Sequence, residues 1–234
     1  MTLRRRAKAV LSDIEGTTGS IAFVHDVLFP YADARLDGFV QSNATDKEVA
    51  AALRAAAQEA GIDAADRDAV TKQLHEWIAA DAKVTPLKTI QGLIWAHGYA
   101  ARELKGHVYP DAAELLRRWH DAGVLLYIYS SGSVAAQKLI FGHSIEGDLT
   151  PLLSGYFDTT TGPKRDARSY ATIARIAGVA PAEMLFLSDS EAELDAARAT
   201  GMQTIQLART SDGTQRSDRH DVAASFLDIE LTRG

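Results

Sequence analysis

Ala9-Val10-Leu11-Ser12-Asp13-Ile14-Glu15-Gly16-Thr17-Thr18-Gly19 decides how the rest of the chain is read. Three apolar residues run without a break, stop at a serine and two carboxylates, and give way to a turn of glycine and threonine. A short continuous apolar run bounded by turn residues marks a strand buried on both faces, as in a parallel sheet. Further runs follow the same plan. Val124 to Tyr129 ends in Ser130-Ser131-Gly132, and Met184 to Leu187 ends in Ser188-Asp189. Thr204 to Leu207 is a weaker run after the turn at Gly201, and Phe157 marks a shorter strand. Helical patterns lie between them. Asp111 to Asp121 puts Leu115, Leu116 and Trp119 on one face, Ser133 to Phe141 and Ala167 to Ala177 are helical, and Ala192 to Thr200 is closed by Gly201. Alternating strands and helices predict an α/β fold with a parallel sheet.

The segment 21–107 breaks that alternation. Its signals are helical over 31–40, 46–60, 66–81 and 85–96, with few strand-like runs. The expected organisation is an α/β core from 1–20 and 108–234, with a helical unit of 21–107 inserted after the first strand. The tail is polar after Asp212 until Ala224-Ser225-Phe226-Leu227-Asp228-Ile229-Glu230-Leu231, which reads equally as an edge strand or a packed helix.

Composition narrows the function. At 234 residues with 46% hydrophobic and 24% charged, the chain has material for one large domain or a domain with an insert. It has no cysteine, which excludes disulfides, thiolate chemistry and a cysteine zinc site. A net charge of -6 argues against a nucleic-acid surface. No stretch approaches the ~20 apolar residues of a membrane helix. The start, Met1 to Lys8, is basic with no apolar stretch behind it, and reads as a solvated terminus rather than a signal peptide. The expectation is a cytoplasmic protein with neither membrane nor nucleic acid as partner.

In open α/β sheets, ligands bind beyond the carboxyl ends of the strands. Three runs here end in polar, reactive residues: Asp13 with Glu15, Ser130 with Ser131, and Asp189. Two carboxylates two residues apart at a strand tip repel each other unless a cation lies between them or one holds a proton. A hard ion such as Mg²⁺ prefers oxygen ligands and leaves positions for phosphate. Asp13, Glu15 and Asp189 are the expected ligands. The plain alternative is an ordinary strand-to-loop turn, and for the hexapeptide alone the two readings stand even. Ser130 and Ser131, at a helix start, suit a phosphate cradle. Alone, a helix cap by Ser131 or Ser133 is the better reading. Lys164, after Gly162-Pro163 and before a helix, suits charge neutralisation of a nucleophile and a phosphate oxygen. Alone it reads as a solvated turn. Glu193, one helical turn past Asp189, is placed to orient Lys164 or a metal-bound water. Glu191 reads as a favourable charge at a helix start. The seven histidines are scattered, with no pair at metal-ligand spacing, and Trp77, Trp95 and Tyr99 read chiefly as core of the insert.

The order Asp-x-Glu-Gly-Thr, strand-Ser, Lys, strand-Ser-Asp resembles the motif series of the haloacid dehalogenase superfamily. The insert resembles that superfamily's type 1 cap on a Rossmannoid core. Longer stretches narrow the match. Asp13 to Ala32, Gln91 to Tyr99, His107 to Asp111 and Ile128 to His143 resemble the enolase-phosphatase family, also called acireductone synthase. Glu15 stands where most phosphatases of the superfamily have aspartate, a departure this family shares. The resemblance implies a Mg²⁺-dependent enzyme, one ion per chain, acting on a small phosphorylated substrate. Family members enolise 2,3-diketo-5-methylthiopentyl 1-phosphate in methionine salvage, then release phosphate to give the acireductone. It implies Asp13 as nucleophile, Glu15 as acid and base, and Ser131 and Lys164 on the phosphate. The enolising base stays open between Glu15 and a cap residue such as Lys88. Two other readings are a capped sugar-phosphate phosphatase and a non-enzymatic phospho-receiver, although a receiver has no use for the insert. A monomer is the default, since one chain can build one site.

Overall fold

The computed structural model describes residues 2–233. Its strands are β1 (Leu3–Ala7), β2 (Ala9–Ser12), β3 (Leu125–Tyr129), β4 (Gly155–Phe157), β5 (Met184–Ser188), β6 (Gln203–Leu207), β7 (Val222–Ala223) and β8 (Ile229–Arg233). Six form a parallel sheet in the order β4-β3-β2-β5-β6-β7, with β2 inside it. β1 and β8 form a separate parallel pair. The start of the chain is therefore a strand, not the solvated terminus expected. The alternation was hidden because Arg5, at an inward position, is half-buried and paired with Asp221, while Arg4 and Arg6 face out. The tail resolves as β7, a short 3₁₀ turn at Phe226–Asp228, and the paired strand β8.

The chain divides into two compact units, residues 1–22 with 105–234, and Phe23–Leu104. The divisions fall at Ala22 and Lys105, not at 20 and 108. The core reaches further along the chain because local bonds hold it there. Ser20 N–H donates to His107 Nδ1 at 3.1 Å, and Gly106 N–H donates to the His143 carbonyl at 2.8 Å.

The inserted unit holds α1 (Phe29–Asn43), α2 (Lys47–Ala60), α3 (Arg67–Ala79) and α4 (Thr85–Ala100). A helical turn at Ile21–Phe23 and a π-helical stretch at Val24–Leu28 precede them. Asp46 and Asp66 cap α2 and α3 through their carboxylates, and Gly61 ends α2 in the left-handed conformation. The four helices enclose their own core of Leu36, Val40, Leu53, Leu74, Ile90 and Ile94. Each such side chain, fully buried, stabilises by roughly 1.5–3 kcal/mol before entropy is counted.

The core unit adds α5 (Pro110–Asp121), α6 (Val134–Gly142), α7 (Ala167–Ala177) and α8 (Glu191–Arg198). Successive strand residues point to opposite faces and build two apolar layers. Val10, Leu126, Ile128, Leu185 and Leu187 meet α5 through Leu116 and Trp119. Leu11, Tyr129 and Phe186 meet α7 and α8 through Tyr170, Ile173 and Leu194. Helices cover both faces, which is why the strands are apolar on both. No helix among the described residues is long and apolar enough to cross a membrane.

Candidate active site

Register brings the candidate residues to one edge. Ser12 is level with Ile128 on one side and Leu187 on the other, so Asp13, Ser130 and Asp189 leave the sheet almost together. Asp13 is 3% exposed. Its Oδ1 accepts from Ile14 N–H at 2.7 Å and from Lys164 Nζ at 2.6 Å. Its carbonyl accepts from Thr18 Oγ1 at 3.0 Å, which folds the following turn back onto the strand end.

Lys164, predicted from a loop 151 residues away, bridges Asp13 and Glu193, the second at 2.8 Å. Burial pulls the ammonium down, but Asp13, Glu193 and Glu15 outweigh it and hold the group above the usual lysine range. Glu193 is thus Lys164's second partner. Its carboxyl is raised, by burial first and then by Asp13, against the opposing pull of Lys164. Ser188 was not singled out in the sequence. Its Oγ lies 3.2 Å from both Asp13 Oδ2 and Glu193 Oε2, so its one proton serves two carboxylates.

Glu15 turns its carboxylate to Ser130, whose Oγ lies 3.2 Å from both Glu15 oxygens. Burial, and then Asp13, raise its pKa. Asp189 is pushed up to about 7, again by burial first and Asp13 second. It closes on the Asp13 turn at Gly16, which has φ +69°. A Cβ on Gly16 would stand 2.6 Å from Asp189 Oδ2, so only glycine fits. Of the expected ligands Asp13, Glu15 and Asp189, the Glu15 carboxylate faces Ser130. Among the described residues no three His, Cys, Asp or Glu side chains group to hold a metal. Asp13 and Asp189 remain, an all-oxygen pair. Mg²⁺ typically takes one or two carboxylates and completes its shell with water and substrate phosphate. The donor chemistry fits, and so does the charge. Asp13, Glu15, Asp189 and Glu193 surround Lys164, and burial without enough counter-charge is what raises three of them.

Ser130 is buried, and Gly132 N–H donates to its Oγ at 3.1 Å. The cap of α6 is Ser133, accepting from Ala136 N–H at 3.2 Å. Ser131 is exposed on the turn between them. Lys88 stands on α4, in the inserted unit. A second buried cluster escaped sequence reasoning. Arg209 Nε donates to the Thr17 carbonyl at 2.8 Å, and its guanidinium grips Asp111 at 3.1–3.2 Å while lying 3.9 Å from the centre of the Tyr109 ring. Asp111 also accepts from Ser225 Oγ and Phe226 N–H. The nucleophile turn is thereby tied to the segment after β6. Asp111 closes the stretch His107 to Asp111, but no spacing links it to Arg209.

A family model described as haloacid dehalogenase-like hydrolase matches residues 7–201. Over 222 residues the chain is 56% identical to Enolase-phosphatase E1 of Pseudomonas aeruginosa strain LESB58, covering 95% of this chain and 97% of that protein. It is 55% identical to Enolase-phosphatase E1 of Azotobacter vinelandii over 223 residues, with the same coverage. Its structure is similar to that of the UTR4 protein of Saccharomyces cerevisiae, with a TM-score of 0.81, 37% identity, and coverage of 94% of this chain and 99% of that one. The chain belongs to the haloacid dehalogenase-like hydrolases and, within them, to the enolase-phosphatase E1 family.

Proposed function

We propose that the chain enolises 2,3-diketo-5-methylthiopentyl 1-phosphate and then transfers its phosphoryl group to Asp13, releasing the acireductone. The observation that carries the reading is Lys164 held between Asp13 and Glu193 at the end of the central strand, with a half-buried Glu15 two residues on. It is supported by identity of more than half with enolase-phosphatases over nearly the whole chain.

Phosphoryl transfer is mostly positioning and charge neutralisation. Asp13 attacks phosphorus as its carboxylate, and the bond from phosphorus to the substrate's C1 oxygen breaks. Ionised Lys164 pairs with Asp13 and offers its charge to the phosphoryl oxygens, with Ser131 at the rim. Glu15, whose pKa burial and Asp13 raise, gives a proton to the leaving enol oxygen. As carboxylate it then takes a proton from the water that attacks the aspartyl phosphate, and Asp13 is restored with release of phosphate. Such a group contributes ~10²–10⁴-fold. Mg²⁺, one per chain in this reading, would be held by Asp13 and Asp189 and would neutralise phosphate charge. Enolisation moves a proton from C1 to the carbonyl oxygen on C2. Glu15 shares the pocket of Asp13, and Lys88 is the candidate from the insert. One core carries Asp13, Glu15, Lys164, Asp189 and Glu193, and the protein in this reading is a cytoplasmic monomer.

The test is to supply the diketo-phosphate and follow enol absorbance together with free phosphate. Enol rising before phosphate is the expected course. Faster turnover of a sugar phosphate would overturn the substrate, and a stable phosphoenzyme without phosphate release would overturn the enzyme.

A further inference from the structure

Three successive carbonyls of the loop bearing Lys164 are each held by a buried hydroxyl. Tyr129 Oη donates to the Gly162 carbonyl at 2.8 Å, Ser169 Oγ to the Pro163 carbonyl at 2.8 Å, and Tyr170 Oη to the Lys164 carbonyl at 2.7 Å. Tyr129 and Tyr170 are 0% exposed and Ser169 is 2% exposed. Tyr129 ends β3, and the other two lie in the first turn of α7. The loop runs between β4 and α7, outside any strand ladder, and Pro163 has no N–H to offer. The Pro163 carbonyl also accepts from Asp166 N–H at 3.0 Å, so Ser169 is its second donor, while the Gly162 and Lys164 carbonyls take the two tyrosine hydroxyls.

The fit is close. Gly162 has φ +144°, and a Cβ on it would stand 2.3 Å from Ser169 Oγ. The tyrosine rings fill the apolar layer beneath the sheet, Tyr170 lying 5.6 Å from Tyr129 and 5.0 Å from Phe186 between centroids. Phenylalanine would fill that space as well. A phenol hydroxyl in such a layer is costly unless it is bonded, so the loop is what gives both hydroxyls a use. Tyr129 meets the lysine at its far end too, with Nζ 5.8 Å from the ring centre.

We infer that Tyr129, Ser169 and Tyr170 are positioning residues that hold the Lys164 loop at the height from which its ammonium reaches Asp13 and Glu193. The inference rests on the role proposed for Lys164. A lysine stem is flexible, and its tip is fixed only by the groups it pairs with. When Asp13 carries a phosphoryl group, the partner at the tip has changed. The root is then what keeps the cation in place, and the three hydroxyls fix the root.

A cycle with Lys164→Ala separates positioning from plain stability. Tyr129→Phe, Ser169→Ala and Tyr170→Phe keep the layer filled or nearly so. Each is expected to lower kcat three- to tenfold, and the triple variant about 10²-fold, the scale of a small misplacement at a reacting centre. In the Lys164→Ala background, Tyr170→Phe is expected to cost nothing further, since groups acting through one residue are non-additive. Equal fold-losses in both backgrounds, or no loss in the native one, overturn the inference. If Lys164→Ala turns over at the native rate, the proposed role of Lys164 falls, and positioning falls with it. If Lys164→Ala is slow but the hydroxyl variants are not, only positioning falls. Inorganic phosphate gives a second readout where Lys164→Ala is too slow for the cycle. Its inhibition constant is expected to rise about tenfold in the triple variant. An unchanged constant overturns the inference.

Discussion

Helix α8 carries two sets of acids on opposite sides. Glu191 and Asp195, one turn apart, meet Arg219, which is 53% exposed on its side chain. Between them in sequence, Glu193 turns inward to Lys164, where the two side chains are 14% and 10% exposed. Glu191 and Glu193 sit in the first turn, where the helix dipole favours both, and Asp195 lies one turn further on. Their chemistry differs nonetheless. Hydrogen bonds from Arg219 and Ser217 pull Glu191 down to about 2, while burial and Asp13 push Glu193 up. With Arg198 also paired to Asp195 at 2.8 Å, the outer set is balanced in charge and wet, so it shifts a pKa and little else. The inner set gathers more carboxyl groups than ammonium in a dry place, an arrangement that a fold does not need and phosphoryl chemistry does.

The largest effect expected is from Asp13→Asn, which leaves the inner set without its nucleophile. Phosphate release should fall by on the order of 10⁴-fold or more; comparable release would show that the inner set works without Asp13. Glu15→Gln should slow turnover by ~10³-fold and leave phosphate on Asp13, detectable in acid-quenched protein as a gain of one phosphoryl group. A native rate would remove Glu15 from the proton transfers. Lys164→Ala should cost ~10²-fold in kcat, as for loss of one charge-stabilising donor. Unchanged kinetics would make the inner set no different from the outer. The smallest effect should come from Glu191→Gln, with kcat unchanged. Its folded pKa is depressed, so its contribution to stability is present above the unfolded value of 4.5 and is lost as pH falls toward about 2. Melting curves of native and variant protein should therefore differ slightly at neutral pH and converge in acid. A fall in kcat would place the outer set in the reaction.

Much of the inner set was legible because its strands are buried on both faces. Ala9 to Leu11, Val124 to Tyr129 and Met184 to Leu187 read as continuous apolar runs, and the residues that stop them are the ones that converge. Lys164 was legible only through the resemblance, since its meaning lies in Asp13, 151 residues away. Ser188 and the pair of Arg209 with Asp111 were not legible. A serine at a strand end and an arginine after one look like turn residues until their partners are known. The strand β1 was missed for the opposite reason: Arg5 sits at an inward position with its charge neutralised by Asp221, and the alternation it belongs to looks broken.

That strand has a consequence for the order of assembly. β1 pairs with β8, Leu3 level with Ile229, so this contact waits until more than 220 further residues have been synthesised. Closing so long a loop is slow, because the chain entropy is lost before the contact forms. Phe23–Leu104, whose helices α1 to α4 make their own core from neighbours in sequence, has no such wait. During synthesis the insert is expected to acquire protected amides first, while the halves of the sheet on either side of it remain open. Hydrogen exchange on ribosome-held chains of increasing length would read this directly, and protection of β2 before β5 has emerged would contradict it. The segment inserted into the fold would then be the first part of it to exist.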